Sequence, residues 1–198
     1  MLFFDILLQR YGSGEPKRSC ECAQRGSFVV APRNVLPMRD STISFIGFNP
    51  LFKNGPDHPF DFLLVDKVGP VKIQVKMQRL EKKVPKHWGR NSQFYVVETQ
   101  KTRSGKDRKG GSTRPYQFGE FDLLAVSLHP SGGDWTKFRY TVADWLFPRS
   151  KTGKNRKLVQ VFQPVPIAAN ADWCDDFETA VGAFRNGKKK TIHEPPKR

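Results

Sequence analysis

Cysteine is scarce in this chain, with three in 198 residues, which excludes a disulfide-stapled scaffold. No apolar run reaches the roughly 18 residues needed to span a bilayer, so no membrane association is expected. Acidic residues are also few. Against 34 Lys plus Arg stand 19 Asp plus Glu, a formal net charge of +15. No internal repeat is visible, and no Ser-His-Asp spacing stands out. The Gly-rich stretch 105–111 lacks GxxxxGK[ST] and does not link a strand to a helix, so a nucleotide-binding loop is not expected. Aromatic residues are abundant: 16 Phe and four Trp argue against a disordered basic protein. The length suits one domain, read over 1–186, with a basic, Pro-containing and mobile tail over 187–198. The opening Met1–Leu8 is apolar but interrupted by Asp5, with no basic flank and no small-residue cleavage site. It reads as a packed helix or strand of a cytoplasmic protein rather than a signal peptide. A basic excess of this size calls for a polyanionic partner, of which nucleic acid is the commonest.

The pattern of elements points to a mixed α/β fold, a central sheet with helices packed on it. A helix is expected over 15–25, ended by Gly26, and short strands over 27–31 and 42–48. The clearest local signal follows. Phe60–Val65 is an apolar strand carrying one acid, Asp66–Pro70 is turn chemistry, and Val71–Met77 alternates with period two. That alternation puts Val71, Ile73, Val75 and Met77 on one face and Lys72, Gln74 and Lys76 on the other, which predicts a β-hairpin with a wet polar face. Further strands are expected over 93–98, 120–128, 138–142 and 157–162. A last helix is expected over 172–184, with Asp172 as its N-cap.

Folding this hairpin brings Asp61 across from Gln74 and Lys76, which point the same way because strand side chains repeat every two residues. A carboxylate, an amide oxygen and an ammonium then share one surface. Phosphodiester hydrolysis uses such a set. Mg²⁺ takes hard oxygen ligands and keeps several waters, and a neighbouring cation positions the attacking water and offsets developing charge. Asp61 and Gln74 are the candidate ligands and Lys76 the electrostatic partner.

Pro59-Phe-Asp61 followed by Lys72-Ile-Gln-Val-Lys76 resembles the active-site hairpin of the PD-(D/E)xK nuclease superfamily, which includes restriction enzymes, Holliday junction resolvases and some homing endonucleases. The family motif is an acid on one strand and (D/E)-x-K on the next. This chain has Gln-x-Lys, similar to a branch seen in a group I intron homing endonuclease and in bacterial restriction-like domains. The block Arg114-Pro-Tyr116 through Phe121–Val126, with Trp135 and Tyr140, also looks like that branch, so the resemblance covers roughly 14–165. It implies a restriction-endonuclease-like mixed central sheet flanked by helices. It implies a deoxyribonuclease using Mg²⁺ or Mn²⁺, a homodimer or higher homo-oligomer for cutting both strands of DNA, and a role in defence or mobile-element biology. It also implies a further acid from a first helix. Glu15 and Glu21 are the candidates, and Glu15 is preferred as the third catalytic and metal-binding residue. The alternative is a catalytically inactive nucleic-acid-binding module of the same fold, which the missing charge at Gln74 favours.

Lys101, Arg103, Lys106, Arg108, Lys109 and Arg114 form the candidate DNA-phosphate patch, and Lys82, Lys83, Lys86 and Arg90 a second basic stretch just after the hairpin. Other polar residues read as structural. Asp57 and Asp66 suit turns, and Asp122 suits an ion pair or a strand end. Cys20 and Cys22 lack the partners of a four-ligand zinc site.

Overall fold

A computed structural model describes residues 59–101, 105 and 114–197, with the backbone of 44–46. The strands are β1 (Ser44–Ile46), β2 (Phe62–Asp66), β3 (Gly69–Met77), β4 (Leu80–Glu81), β5 (Val84–Pro85), β6 (His87–Trp88), β7 (Asn91–Glu98), β8 (Leu123–Ser127), β9 (Phe138–Val142) and β10 (Phe162–Pro166). The helices are α1 (His129–Gly132) and α2 (Phe177–Arg185).

The expected hairpin forms the centre of the molecule. Asp66 Oδ1 accepts hydrogen bonds from the backbone N–H of Val68 (2.9 Å) and Gly69 (3.3 Å), which closes the turn. Gly69 has φ of +131°, a conformation that only glycine adopts without strain. The register sets Phe62 opposite Ile73 and Leu64 opposite Val71. On its other side β3 pairs in parallel with β8, Ile73 against Leu123 through Met77 against Ser127. The result is a five-stranded mixed sheet of order β1-β2-β3-β8-β9. A parallel pair needs a long crossover, usually a helix. Here the described part of the crossover carries the strands β4 to β7 and no helix.

That excursion builds the second layer. β7 pairs with β10 and β6 in a separate three-stranded sheet. Its Val97 and Val165 join Leu124 and Val126 of β8, with Tyr116, Phe121 and Leu146, in one buried cluster. The other face of the central sheet buries Phe62, Leu64, Ile73, Val75, Leu123, Ala125 and Tyr140 against Ala180 and Ala183 of α2. The mixed α/β class is as expected, but the covering differs. Among the described residues a helix covers one face, and strands rather than helices cover the other. No described helix is long and apolar enough to cross a membrane.

Three boundaries differ from expectation. The late strand lies at Phe162–Pro166 rather than 157–162, and Pro164 and Pro166 fit because β10 pairs only with β7 and is an edge. The last helix starts at Phe177, capped by Asp176, whose carboxylate accepts from Thr179 N–H at 2.7 Å. Asp172, expected as that cap, is buried and accepts instead from the N–H groups of Thr191 (2.9 Å) and Ile192 (2.7 Å). The tail from Gly187 is thus tied to the body by hydrogen bonds. Trp145 and Trp88 indole N–H groups also donate to it, at Lys188 O (3.1 Å) and Pro196 O (2.8 Å).

Candidate active site

The site lies where β2 and β3 part. Asp61 precedes β2, and its N–H donates to Ile73 O at 2.9 Å, continuing the ladder by one bond. Beyond Ile73, β3 runs on without β2 beside it. The Asp61 carboxylate takes over that edge, where Oδ2 accepts from Val75 N–H at 3.0 Å and from the Gln74 amide at 2.5 Å. Gln74 Nε2 also donates to Val75 O at 3.0 Å. With the amide nitrogen committed to two acceptors, Oε1 is the atom through which Gln74 would ligate a cation.

Lys76 projects from the same face two residues on. It is half-buried, and its Nζ donates to Gln100 O at 2.8 Å and lies 5.2 Å from the centre of the Tyr116 ring. Burial lowers its pKa from the usual lysine value, against the opposing pull of the Asp61 and Glu98 carboxylates. Glu98 in turn pairs with Arg79. The three residues named from the hairpin are thus brought together, but the polar face is not wet. Gln74 is only 4 % exposed, because β3 is an inner strand with the second layer beside it.

Tyr116 was not singled out by sequence reasoning. It is buried, and its phenol is pushed far up by burial, with the charges of Asp61 and Glu120 adding to the effect. A second ammonium group, Lys101 Nζ, stands 5.6 Å from the same centre. Lys101 pairs with Glu120 at 2.6 Å, and Glu120 Oε2 accepts from Gln117 N–H at 2.9 Å. The only sequence cue was its place in the Arg114-Pro-Tyr116 segment. Its place at the site comes from long-range contact with Lys76.

Of the basic-loop residues, Lys101 and Arg114 meet at the neck, where Lys101 N–H donates to Arg114 O at 2.9 Å. Arg103, Lys106, Arg108 and Lys109 lie outside the described residues, as do Glu15, Glu21, Asp57, Cys20 and Cys22. Asp122 sits just before β8 as a strand-end bolt. Its Oδ2 accepts from Lys72 N–H at 2.7 Å, and its own N–H donates to Lys72 O at 2.8 Å.

Among the described residues no group of three or more His, Cys, Asp or Glu side chains could hold a metal. The described site supplies one carboxylate and one amide oxygen. That donor set suits a hard cation that keeps most of its waters, and suits neither zinc nor a soft metal. No family model, curated protein or solved structure matches the chain.

Proposed function

We propose that this chain is a metal-dependent DNA endonuclease of the PD-(D/E)xK type with a restriction-endonuclease-like fold. The observation that carries the reading is the convergence of Asp61, Gln74 and Lys76 at the parting of β2 and β3. Asp61, held by two N–H donors on one oxygen, and Gln74 through Oε1 would hold Mg²⁺ or Mn²⁺. A bound cation would polarise the phosphoryl oxygen and lower the pKa of a coordinated water. Lys76 orients the attacking water and offsets charge developing on the phosphate. The Gln100 carbonyl fixes its ammonium in direction, and the Tyr116 ring limits its swing. Lys101 and Arg114, at the neck of the basic loop, bind the strand through phosphates, which positions it without reading sequence. Cutting both strands needs two such sites, so the working form is a homodimer.

A second reading has one observation in its favour. Gln74 is neutral and its amide already donates to Asp61. The pair can therefore stand as a satisfied structural contact in a nucleic-acid-binding module without catalysis.

Supercoiled plasmid incubated with Mg²⁺, Mn²⁺ or EDTA separates the two. Metal-dependent nicking that is lost in Lys76→Ala, with DNA binding retained, supports the nuclease. Binding that survives EDTA, with no cleavage under either metal, supports the module. Equal cutting by Lys76→Ala removes that residue from the mechanism.

A further inference from the structure

The chain leaves β3 directly into a two-stranded ribbon, β4 and β5, in which Leu80 pairs with Pro85 and Glu81 with Val84. Its two-residue tip is Lys82-Lys83, with φ of +52° and +66°. Positive φ at both central positions is the requirement of a type I′ turn, which Asn-Gly fills with least strain. Two lysines there carry backbone strain, and such strain concentrates at functional positions. Both are exposed, and among the described residues neither has an ion-pair partner.

The flanks are also unusual. Leu80 is 45 % exposed and Val84 62 %. Residues opposite each other in an antiparallel pair share a face, so Leu80 and Val84 lie on opposite faces of the ribbon. Apolar side chains thus stand in water on both faces of the ribbon, although β5 also runs beside α1. Its root is rigid. Arg79 N–H donates to Val96 O (2.8 Å), Lys86 N–H to Arg79 O (2.9 Å) and Val96 N–H to Lys86 O (2.9 Å). The ribbon's one acid, Glu81, is paired with Lys86 at 3.1 Å, so the tip keeps its full charge.

We propose that the β4–β5 ribbon is a DNA-groove-reading element, seated in the major groove of a B-form duplex whose backbone lies at the candidate site. The major groove admits a two-stranded ribbon, and thymine methyl groups there offer apolar contacts for Leu80 and Val84. Lys82 and Lys83 reach the phosphates at the groove rim. Charge complementarity favours a polyanion, since the chain carries +15. The deep, narrow major groove of A-form RNA does not accept side chains, so the ribbon fits DNA. Six extended residues from Lys76 to Lys82 span at most about 20 Å, or about six base pairs along one strand. The inference rests on the DNA-binding half of the proposed function and is independent of cleavage.

The test uses the full chain with Lys82→Asn and Lys83→Gly together. This pair gives the tip its preferred turn and removes both charges, so the ribbon stays folded. Affinity for a 20-base-pair duplex is measured across a salt series, with the plasmid assay in parallel. The expected result is a loss of about tenfold in affinity and a log–log salt slope shallower by about two. A second variant, Leu80→Ser with Val84→Ser, should leave the slope unchanged and abolish protection of guanine N7 from methylation at the ribbon's position. Unchanged affinity and slope in the first variant overturn the proposal. A wild type that binds duplex RNA better than duplex DNA, with the same sensitivity to the tip, overturns the assignment to DNA. Ribbon-dependent binding without metal-dependent cutting sustains the ribbon and sinks the nuclease.

Discussion

The two faces of β3 are built from alternate residues of one strand, and both are covered, yet they differ in what the covering meets. On the α2 side Val71, Ile73 and Val75 are buried among apolar side chains. On the other side Lys72, Gln74 and Lys76 lie beneath or beside the second layer, with Gln74 nearly as buried as the valines. The first face is what a stable sheet needs. The second holds a buried amide, a half-buried lysine of lowered pKa and a carboxylate drawn onto the strand edge. Burying polar groups costs free energy even when they are bonded. A core that needed only stability would carry aliphatic residues on both faces, as β8 does with Leu123–Ser127 almost wholly apolar and buried. The contrast makes the second face the one on which the proposed chemistry rests.

The largest effect is expected on the dry face. Ile73 is fully buried. Ile73→Ala removes methylenes from a packed cluster and should cost about 2–5 kcal/mol of stability. The denaturant midpoint should fall with the slope unchanged. A cost below about 1 kcal/mol would mean that the α2 side is loosely packed and the contrast overdrawn.

Gln74→Glu is the sharpest probe of the other face. It places a second carboxylate against Asp61, where the amide nitrogen stands 2.5 Å from Oδ2. Like charges at this distance raise one pKa above its unfolded value. The folded chain then holds a proton that the unfolded chain releases, so stability falls as pH rises through the carboxylate range. The deficit at neutral pH should be about 2–4 kcal/mol without metal and should largely vanish with saturating Mg²⁺. Thermal melts at pH 4 and pH 7, with and without Mg²⁺, measure it. A deficit independent of both pH and Mg²⁺ would show that the pair is structural and would favour the binding-module reading.

Gln78 extends the polar stretch past the end of β3. It is 2 % exposed, and neither its amide nitrogen nor its oxygen has a hydrogen-bond partner among the described residues. An unsatisfied buried polar group costs about 1–3 kcal/mol. Gln78→Leu should therefore stabilise the chain by an amount in that range, readable as a raised denaturant midpoint. A loss of stability would show that the amide is engaged.

How much of this contrast was legible in the sequence follows from which contacts are local. The period-two run Val71–Met77 and the Asp66–Gly69 turn are set by near neighbours, and the hairpin forms where that pattern puts it. The juxtaposition of Asp61 with Gln74 and Lys76 came with it. β9 likewise matches its local pattern at Phe138–Val142. What covers the polar face depends on β7 meeting β10, and Pro164 and Pro166 mask β10 as a strand until its edge position is known. Asp172 and Asp176 both precede the same apolar run, and local pattern cannot choose between them. The choice is made by Thr191 and Ile192 of the tail, which take the Asp172 carboxylate. Tyr116 carries no local mark of a role that depends on Lys76 and Lys101 reaching its ring.

The smallest effect separates what Lys76 does for the fold from what it does for chemistry. Burial lowers its folded-state pKa, so between that value and the ordinary 10.5 the unfolded chain binds more protons. Wild-type stability should rise with pH through this window, as the half-buried ammonium is relieved. Lys76→Met lacks the charge. It should be slightly more stable than wild type at neutral pH, and the difference should shrink as pH climbs into the lysine range. Cleavage should move the other way, because offsetting charge on the phosphate needs the ammonium. Wild-type activity should decline with rising pH below the usual lysine value, while Lys76→Arg keeps its charge and lacks that limb. Melting and cleavage measured over the same pH series test both signs at once. A stability that rises with pH beside an activity that does not fall would leave Lys76 as a tolerated cost of the fold, and the two faces of β3 would then differ in polarity without differing in purpose.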